Sequence, residues 1–171
     1  MKRKGKKISE SATIMSEMVM PNDTNPLHNL MGGNLMRWMD IAAGICAGRH
    51  CESYVVTASV DHVSFQRPIP LGDVITINAR VTRAFSTSVE VYVEVFADSI
   101  KGGDARRCND AYFTFVGVDE KLQPCPVPPV IPLTKDEQEM HDGALRRREL
   151  RLILSGRMNP KDAGEIRTLF A

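Results

Sequence analysis

The stretch from Asn29 to His50, NLMGGNLMRWMDIAAGICAGRH, constrains the fold more than any other part of the chain. Two glycines open it, and apolar residues then recur at the spacing of an α-helix. At about 100° per residue, Arg37 falls opposite Leu35, as a solvent-facing side chain should. Asp40 falls about 140° from Leu35, on a flank of small residues that would let a backbone or ligand come close (Ala43, Gly44, Ala47, Gly48). The pattern predicts one long helix with a carboxylate in its middle.

The rest of the main unit has the two-residue period of β-strands. One apolar segment precedes the helix, and the alternation is cleanest after it, where valines occupy positions 89, 91, 93 and 95. Short turns separate the segments. One strand, a long helix and a run of long antiparallel strands predict an α+β fold whose sheet wraps around a central helix. The predicted strands cover residues 12–20, 54–68, 73–84, 86–98 and 105–119.

Composition changes on both sides of this unit. The first residues, MKRKGKK, are basic, and five of the ten prolines lie between residues 121 and 132. Thr134 and Glu137 then form a capping-box pattern that predicts a helix start. We divide the chain into a flexible basic lead (1–11), a main domain (12–120), a proline-rich linker (121–133) and a C-terminal helical tail (134–171). A basic cluster in the tail is either a solvated helix face or a phosphate clamp; its members are Arg146, Arg147, Arg148 and Arg151.

Bulk composition excludes several classes of protein. A formal net charge of +1 disfavours a dedicated nucleic-acid binder. No apolar run approaches the roughly 20 residues that span a bilayer, and no apolar segment follows the basic N-terminus as in a signal peptide. The four cysteines are scattered, which indicates reduced thiols and neither a disulfide framework nor a zinc site. We therefore expect a cytoplasmic protein with no metal, nucleic-acid or membrane partner.

Three segments carry a resemblance to a known family. They read MPNDTNPLHNLMGGNLMRWMDIAAGICAGRH, VVTASVDHVSFQRPIPLGDVI and AYFTFVGVD, in that order. Together they resemble the hotdog-fold acyl-CoA thioesterases of the bacterial YciA type and the cytosolic acyl-CoA hydrolase type, over about residues 12–120. A P-x-D-T-N loop, a GG-x-L-M-x-x-M-D helix and an F-x-R-P-I-x-x-G-D turn are the specific parts. The chain differs at His28, where related sequences usually have glycine.

The resemblance implies hydrolysis of acyl-CoA to a free fatty acid and CoA. Asp40 stands at the family's catalytic carboxylate position, and Asn29 stands at its partner position. In such proteins the two residues come from opposite subunits. The resemblance therefore implies a homodimer with shared active sites, which often assembles into a hexamer as a trimer of dimers. It implies no cofactor, since CoA enters only as part of the substrate and product.

The chemistry of a thioester places further requirements on the site. A thioester carbonyl needs a nucleophile and a place for developing negative charge. Backbone N–H groups of Gly32 and Gly33, at a helix N-terminus, predict that oxyanion site. Asp40 lies about 10 Å further along the helix axis, so a second copy of the chain must complete the site. Asp40 would act as general base on water or as nucleophile, and Asn29 would hold the water or the carbonyl oxygen.

Several polar residues are candidates for contacts with the substrate. Each also has a simpler explanation as a strand hydroxyl, a strand end or a surface arginine. Ser86, Thr87 and Ser88 sit at a strand start, where hydroxyls satisfy turn backbone or bind phosphates. Arg83 and Arg106 are weaker candidates, because arginine is the natural phosphate partner but is also common on any surface. The predicted substrate-binding residues are Thr57, Ser64, Arg67, Arg83, Ser86, Thr87 and Ser88.

Two other functions fit the same predicted fold. One is a non-catalytic acyl-CoA-binding regulator, which would need a DNA-binding segment that is not visible before residue 12. The other is a hotdog dehydratase or hydratase, which would need a histidine paired with a carboxylate. A purely structural oligomer gives no account of Asp40.

Overall fold

The computed structural model of the chain describes residues 3–168. Three short 3-10 turns (Ile8–Glu10, Pro21–Asp23, Pro160–Asp162) join the helices and strands. The strands are β1 (Lys6–Lys7), β2 (Thr13–Met18), β3 (Tyr54–Phe65), β4 (Asp73–Ala84), β5 (Ser88–Ser99), β6 (Arg106–Val118) and β7 (Val130–Ile131). The helices are α1 (Gly32–Cys51), α2 (Lys135–Leu154) and α3 (Gly164–Arg167).

Five long strands form one antiparallel sheet in the order β2-β4-β5-β6-β3. The four alternating valines of β5 are fully buried, and so are Met39, Ala42 and Cys46 of α1. Alternation along a strand sends these valines to one face, where α1 packs across them. The predicted α+β architecture, an antiparallel sheet around one long helix, is confirmed. β3 is an edge strand of this sheet, and α1 leads directly into it.

The loop before α1 adopts an unusual backbone conformation at His28. Its φ is 56°, in the left-handed region that glycine favours, and which costs other residues roughly 1–2 kcal/mol. Two backbone hydrogen bonds hold it there: His28 N–H donates to the Asn25 carbonyl at 2.9 Å, and Leu71 N–H donates to the His28 carbonyl at 2.9 Å. The loop thus holds His28 in a conformation that glycine adopts more easily.

Residues 1–11 were expected to form a flexible basic lead, of which Met1 and Lys2 lie outside the described residues. In the described part, Arg3 Nη1 donates to the Cys51 carbonyl at 2.7 Å. Lys6–Lys7 pairs in parallel with Val130–Ile131, and Ile8 is buried. These contacts connect the lead to the end of α1 and to the proline-rich segment.

The proline-rich segment is extended, as predicted, but it does not hang free as a linker. Cys125 N–H donates to the Gly117 carbonyl at 2.9 Å, and Val127 N–H donates to the Ser86 carbonyl at 3.1 Å. Val127 is also buried. Proline has no backbone N–H, but the residues between the prolines do. Their N–H groups form the hydrogen bonds that hold the segment against the end of the sheet.

The tail forms the long helix α2, and its capping box is confirmed. Glu137 N–H donates to Thr134 Oγ1 at 3.2 Å, while the Glu137 carboxylate accepts from Thr134 N–H at 3.2 Å. α2 packs on the face of the sheet opposite α1. Arg147 forms an ion pair with the fully buried Glu90 at 2.8 Å. The basic cluster is therefore not simply a solvated helix face, because Arg147 closes a buried ion pair.

His50, near the end of α1, gives a testable pH dependence. Its Nε2 faces the Pro128 carbonyl at 2.9 Å, and its buried Nδ1 has no hydrogen-bond partner. Burial lowers the pKa of His50 below 6.5. The unfolded chain therefore binds more protons than the folded one as the pH falls below about 6.5. We expect the free energy of unfolding to be flat above that pH and to fall below it. Urea unfolding at about pH 7.5 and 5.5 checks this, and His50→Gln should lose the His50 part of the slope.

Candidate active site

Asn25 organises the loop that approaches the N-terminus of α1. Its side-chain Oδ1 accepts from Leu27 N–H at 2.9 Å and from Asn29 N–H at 3.2 Å. Its backbone N–H donates to the Asn29 carbonyl at 2.8 Å. Since both side-chain contacts need an acceptor, the amide orientation is determined and Nδ2 points away from them. Within residues 3–168 that Nδ2 donates no hydrogen bond, so it is available to a ligand.

A cavity of about 390 Å³ opens beside this loop. Asn25, Asn29 and Gly32 line it on one side, and Arg67 lines it on the other, together with Phe65 and neighbouring apolar residues. Its volume is in the range of small-ligand sites. A larger cleft of about 750 Å³ lies around the basic lead and contains none of the predicted site residues. The smaller cavity therefore brings together Asn29, Gly32 and Arg67 from the sequence prediction.

The first backbone N–H groups of α1 are free hydrogen-bond donors. Met31 precedes it in an extended conformation and gives no side-chain cap. The first backbone bonds back to Met31 come from Asn34 and Leu35, so the N–H groups of Gly32 and Gly33 have no acceptor within residues 3–168. A Cβ at Gly33 would meet nothing within 4 Å, whereas one at Gly32 would lie 3.1 Å from the Phe65 ring. The open side of Gly33 leaves room for an anion or a carbonyl oxygen.

Asp40 lies further along α1 and contacts the edge strand. Thr57 Oγ1 donates to Asp40 Oδ1 at 2.8 Å. Asp40 is half-buried and Thr57 is exposed, and the second carboxylate oxygen accepts no hydrogen bond within residues 3–168. The Asn29 cavity is not lined by Asp40 or Thr57. One chain thus presents two half-sites, one at the helix start and one where mid-helix meets β3.

The other predicted contacts lie elsewhere. Arg83 is engaged by α2, donating to the His141 carbonyl at 3.0 Å. Ser64 is exposed on β3, opposite Asp110. Ser86 and Thr87 give their carbonyls to backbone N–H groups of Val127 and Gly117. Ser88 lines a separate cavity under α2. The structure groups Arg67 with the helix start and Thr57 with Asp40, and it leaves Ser64, Arg83, Ser86, Thr87 and Ser88 apart from both half-sites.

The buried cysteines are poor nucleophiles. Burial raises the pKa of Cys46 to about 11 and that of Cys51 to about 12. Both thiols are therefore protonated at neutral pH, and nucleophilic cysteine chemistry requires the thiolate. Within residues 3–168, no three His, Cys, Asp or Glu side chains are grouped so that they could hold a metal ion. In the same range, no helix has the length and apolar character to cross a bilayer.

Sequence comparison finds relatives across most of the chain. The family model described as "Thioesterase superfamily" matches residues 27–103. An uncharacterised acyl-CoA thioester hydrolase of Bacillus subtilis is 38% identical over 138 residues, which cover 81% of this chain and 80% of that protein. The cytosolic acyl-CoA thioester hydrolase of Rattus norvegicus is 36% identical over 90% of this chain, which spans only 41% of that longer protein.

Solved structures of acyl-CoA hydrolases have the same fold. The Staphylococcus aureus enzyme, in complex with butyryl-CoA, CoA and CoA disulfide, is 37% identical with a TM-score of 0.81, covering 88% of this chain and 94% of that one. A hexameric acyl-CoA thioesterase is 35% identical with a TM-score of 0.86, covering 90% and 98%. Given these matches over the whole helix-and-sheet unit, the chain belongs to the thioesterase superfamily, with the hotdog fold of the acyl-CoA thioester hydrolases.

Proposed function

We propose that the protein hydrolyses acyl-CoA thioesters to a carboxylic acid and CoA. The observation that carries this is the Asp40–Thr57 contact, which holds a carboxylate in the middle of the central helix with one oxygen open. In the proposed dimer, Asp40 of one subunit would act on a carbonyl whose oxygen lies at the free N–H groups of Gly32 and Gly33 of the other. Addition of water to a thioester needs no redox or metal cofactor, and CoA takes part only as the leaving group.

The spacing of residues in the S. aureus enzyme supports the same assignment. That enzyme has been solved with alanine in place of an Asn, an Asp and a Thr. Fifteen positions separate its Asn from its Asp, and seventeen separate its Asp from its Thr. The same intervals separate Asn25, Asp40 and Thr57 here. This correspondence adds Asn25, the last residue of the P-x-D-T-N loop, to the candidates for the catalytic amide.

Asn25 and Asn29 can be told apart by two substitutions. Asn25→Asp keeps the oxygen that accepts from Leu27 and Asn29 but removes the Nδ2 donor. We expect it to lower kcat/KM for acyl-CoA by about 10²–10³-fold, the usual cost of one donor to an oxyanion. Asn29→Ala should lower turnover less, with the oligomer intact. Rate assays with light scattering make the comparison; a larger loss for Asn29→Ala would assign the catalytic amide to Asn29.

Asp40 has two possible roles in the reaction. As a general base it takes a proton from water, the hydroxide adds to the carbonyl, and the tetrahedral intermediate expels CoA thiolate. As a nucleophile it adds to the carbonyl itself and expels the thiolate, and water then hydrolyses the resulting anhydride. Label found in the Asp40 carboxylate after a single turnover in ¹⁸O-water would identify the anhydride route, because the general-base route puts all of the label in the released acid.

A second copy of the chain is needed for the complete site. The two half-sites are separated along α1, so Asp40 of one subunit would serve the carbonyl bound at the helix start of its partner. The unpaired edge of β3 and the exposed Ile41 and Ile45 of α1 supply a surface for such a copy. The hexameric relative supports a trimer of these dimers, and the cytosolic relative supports a cytoplasmic location.

The hydrolase assignment is better supported than the two alternatives. A dehydratase would place a histidine beside its carboxylate, whereas the side-chain partner of Asp40 within residues 3–168 is Thr57. A non-catalytic regulator would have no use for a hydrogen-bonded carboxylate with an open oxygen. Among the predicted substrate contacts, we retain Arg67 at the cavity and assign Thr57 to the positioning of Asp40.

A further inference from the structure

A second cavity, of about 170 Å³, lies between the sheet and the last turns of α2. It is on the face of the sheet opposite α1, beneath the part of α2 that follows the Glu90–Arg147 ion pair. Ser88 and Thr114 line it from the sheet, and three arginines line it from the tail. We call it the arginine cavity and define it by Ser88, Thr114, Arg148, Arg151 and Arg157.

The arginine cavity carries an excess of positive charge. Arg151 is paired with Asp61 at 2.6 Å. Arg148 and Arg157 have no carboxylate within 4.0 Å among residues 3–168, and Arg148 stacks on the Phe85 ring at 5.1 Å. Three arginines therefore line the cavity, and one of them, Arg151, is paired with a carboxylate. Such an arrangement is costly when the cations lie close together without an anion.

A turn after α2 places Arg157 at this cavity. Gly156 has a φ of 70°, which lets the chain turn back at the end of α2. Arg157 N–H then donates to the Leu152 carbonyl at 2.8 Å. The turn brings Arg157 back beside the helix face that bears Arg148 and Arg151.

Two hydroxyl groups in the cavity are unpaired. Thr114 is only 6% exposed, and its buried Oγ1 has no hydrogen-bond partner. Ser88 Oγ makes no hydrogen bond within residues 3–168. Buried hydroxyls are nearly always hydrogen-bonded to protein, water or a ligand, so the Thr114 hydroxyl has an unused bonding capacity. Both residues line the cavity, which makes their hydroxyls candidates to donate to an anion there.

We propose that the arginine cavity binds a phosphoryl group. Guanidinium groups bind phosphate through paired, charge-assisted hydrogen bonds, and hydroxyls complete such sites. The volume suits one phosphoryl group and is too small for a whole nucleotide. Ala58 and Ser59 also line the cavity and directly follow Thr57, which ties it to the edge strand that holds Asp40. The phosphoryl group comes from the CoA part of the substrate, which rests on the proposed function, or from free phosphate.

Calorimetric titration of the full chain with inorganic phosphate, and separately with CoA, tests the site directly. We expect Arg148→Gln and Arg157→Gln each to weaken binding at least about tenfold, as expected for the loss of one charge-assisted contact. Arg146→Gln removes the same charge from the same helix outside the cavity and should change binding less than about twofold. Thr114→Val should also weaken binding without lowering the melting temperature of the ligand-free protein, because the hydroxyl is unpaired there.

Kinetics identify the source of the phosphoryl group. If it is CoA, Arg148→Gln and Arg157→Gln raise the KM for acyl-CoA about tenfold or more. Hydrolysis of acyl-pantetheine should stay unchanged in both variants, because that substrate contains no phosphate. If it is free phosphate, the titrations change and both KM values stay constant. Equal binding by the cavity variants and Arg146→Gln, with unaltered KM, overturns the proposal. A wild-type protein that cleaves neither thioester would refute the proposed function instead, while the phosphate titration still reports on the cavity.

Discussion

Replacing Asp40 by asparagine is expected to lower kcat for acyl-CoA hydrolysis by about 10²–10⁴-fold, the usual range for the loss of a catalytic acid–base group. The new amide keeps an oxygen that can accept from Thr57 Oγ1, so the helix and edge strand should pack as before. The measurement is release of free thiol from acyl-CoAs of graded chain length. Melting temperature and light scattering show whether fold and assembly are retained.

Thr57→Val is the matched control for this change. It removes the hydroxyl that holds Asp40 but leaves the carboxylate itself in place. A positioning role predicts a smaller loss of kcat for Thr57→Val than for Asp40→Asn. Turnover near the wild-type value for Asp40→Asn would refute the assignment of Asp40, whatever the result for Thr57.

Arg147→Ala is expected to lower the free energy of unfolding by about 3–5 kcal/mol, because it leaves the Glu90 carboxylate buried without a counterion. Glu90 is fully buried, and it accepts from Thr82 Oγ1 at 2.6 Å as well as from Arg147. The Arg147 guanidinium also stacks on the Tyr112 ring at 4.0 Å. The loss would therefore loosen α2 over the sheet.

A double variant separates the charge effect from the packing effect. In Glu90→Leu with Arg147→Met, both charges are gone and apolar atoms fill the space. Such replacements of a buried pair are often neutral or stabilising. Urea denaturation of the single and double variants makes the comparison. If the double variant is as unstable as Arg147→Ala, the ion pair itself stabilises the fold. If it is more stable, the loss in Arg147→Ala comes from leaving the Glu90 charge buried without a partner.

The sequence predicted the fold well because its signals are local. Helical spacing around Asp40 and alternation of the β5 valines each depend on one segment, and each was confirmed. The parts it did not predict depend on distant partners. Glu90 looks like an outward-facing strand residue until α2 covers it, and Lys6–Lys7 looks like a free tail until Val130–Ile131 lies beside it. Contacts between residues so far apart in the chain produce no periodic pattern in the sequence.

The candidate site was predicted in part for the same reason. The glycines at the helix start and the mid-helix carboxylate are visible as a motif. Asn25 also belongs to a motif, the P-x-D-T-N loop, but its role depends on a turn in which its oxygen is occupied and its nitrogen is free. A second asparagine four positions later, at Asn29, matches the motif equally well by type. Hydrogen-bond geometry distinguishes the two asparagines, and residue type does not.

The parallel pairing of β1 with β7 links two segments that are more than a hundred residues apart in the chain. The segment between the sheet and α2 is therefore shaped partly by the residues that come before β2. Substitutions in one partner would change which substitutions the other tolerates, so the two short strands should vary together among relatives.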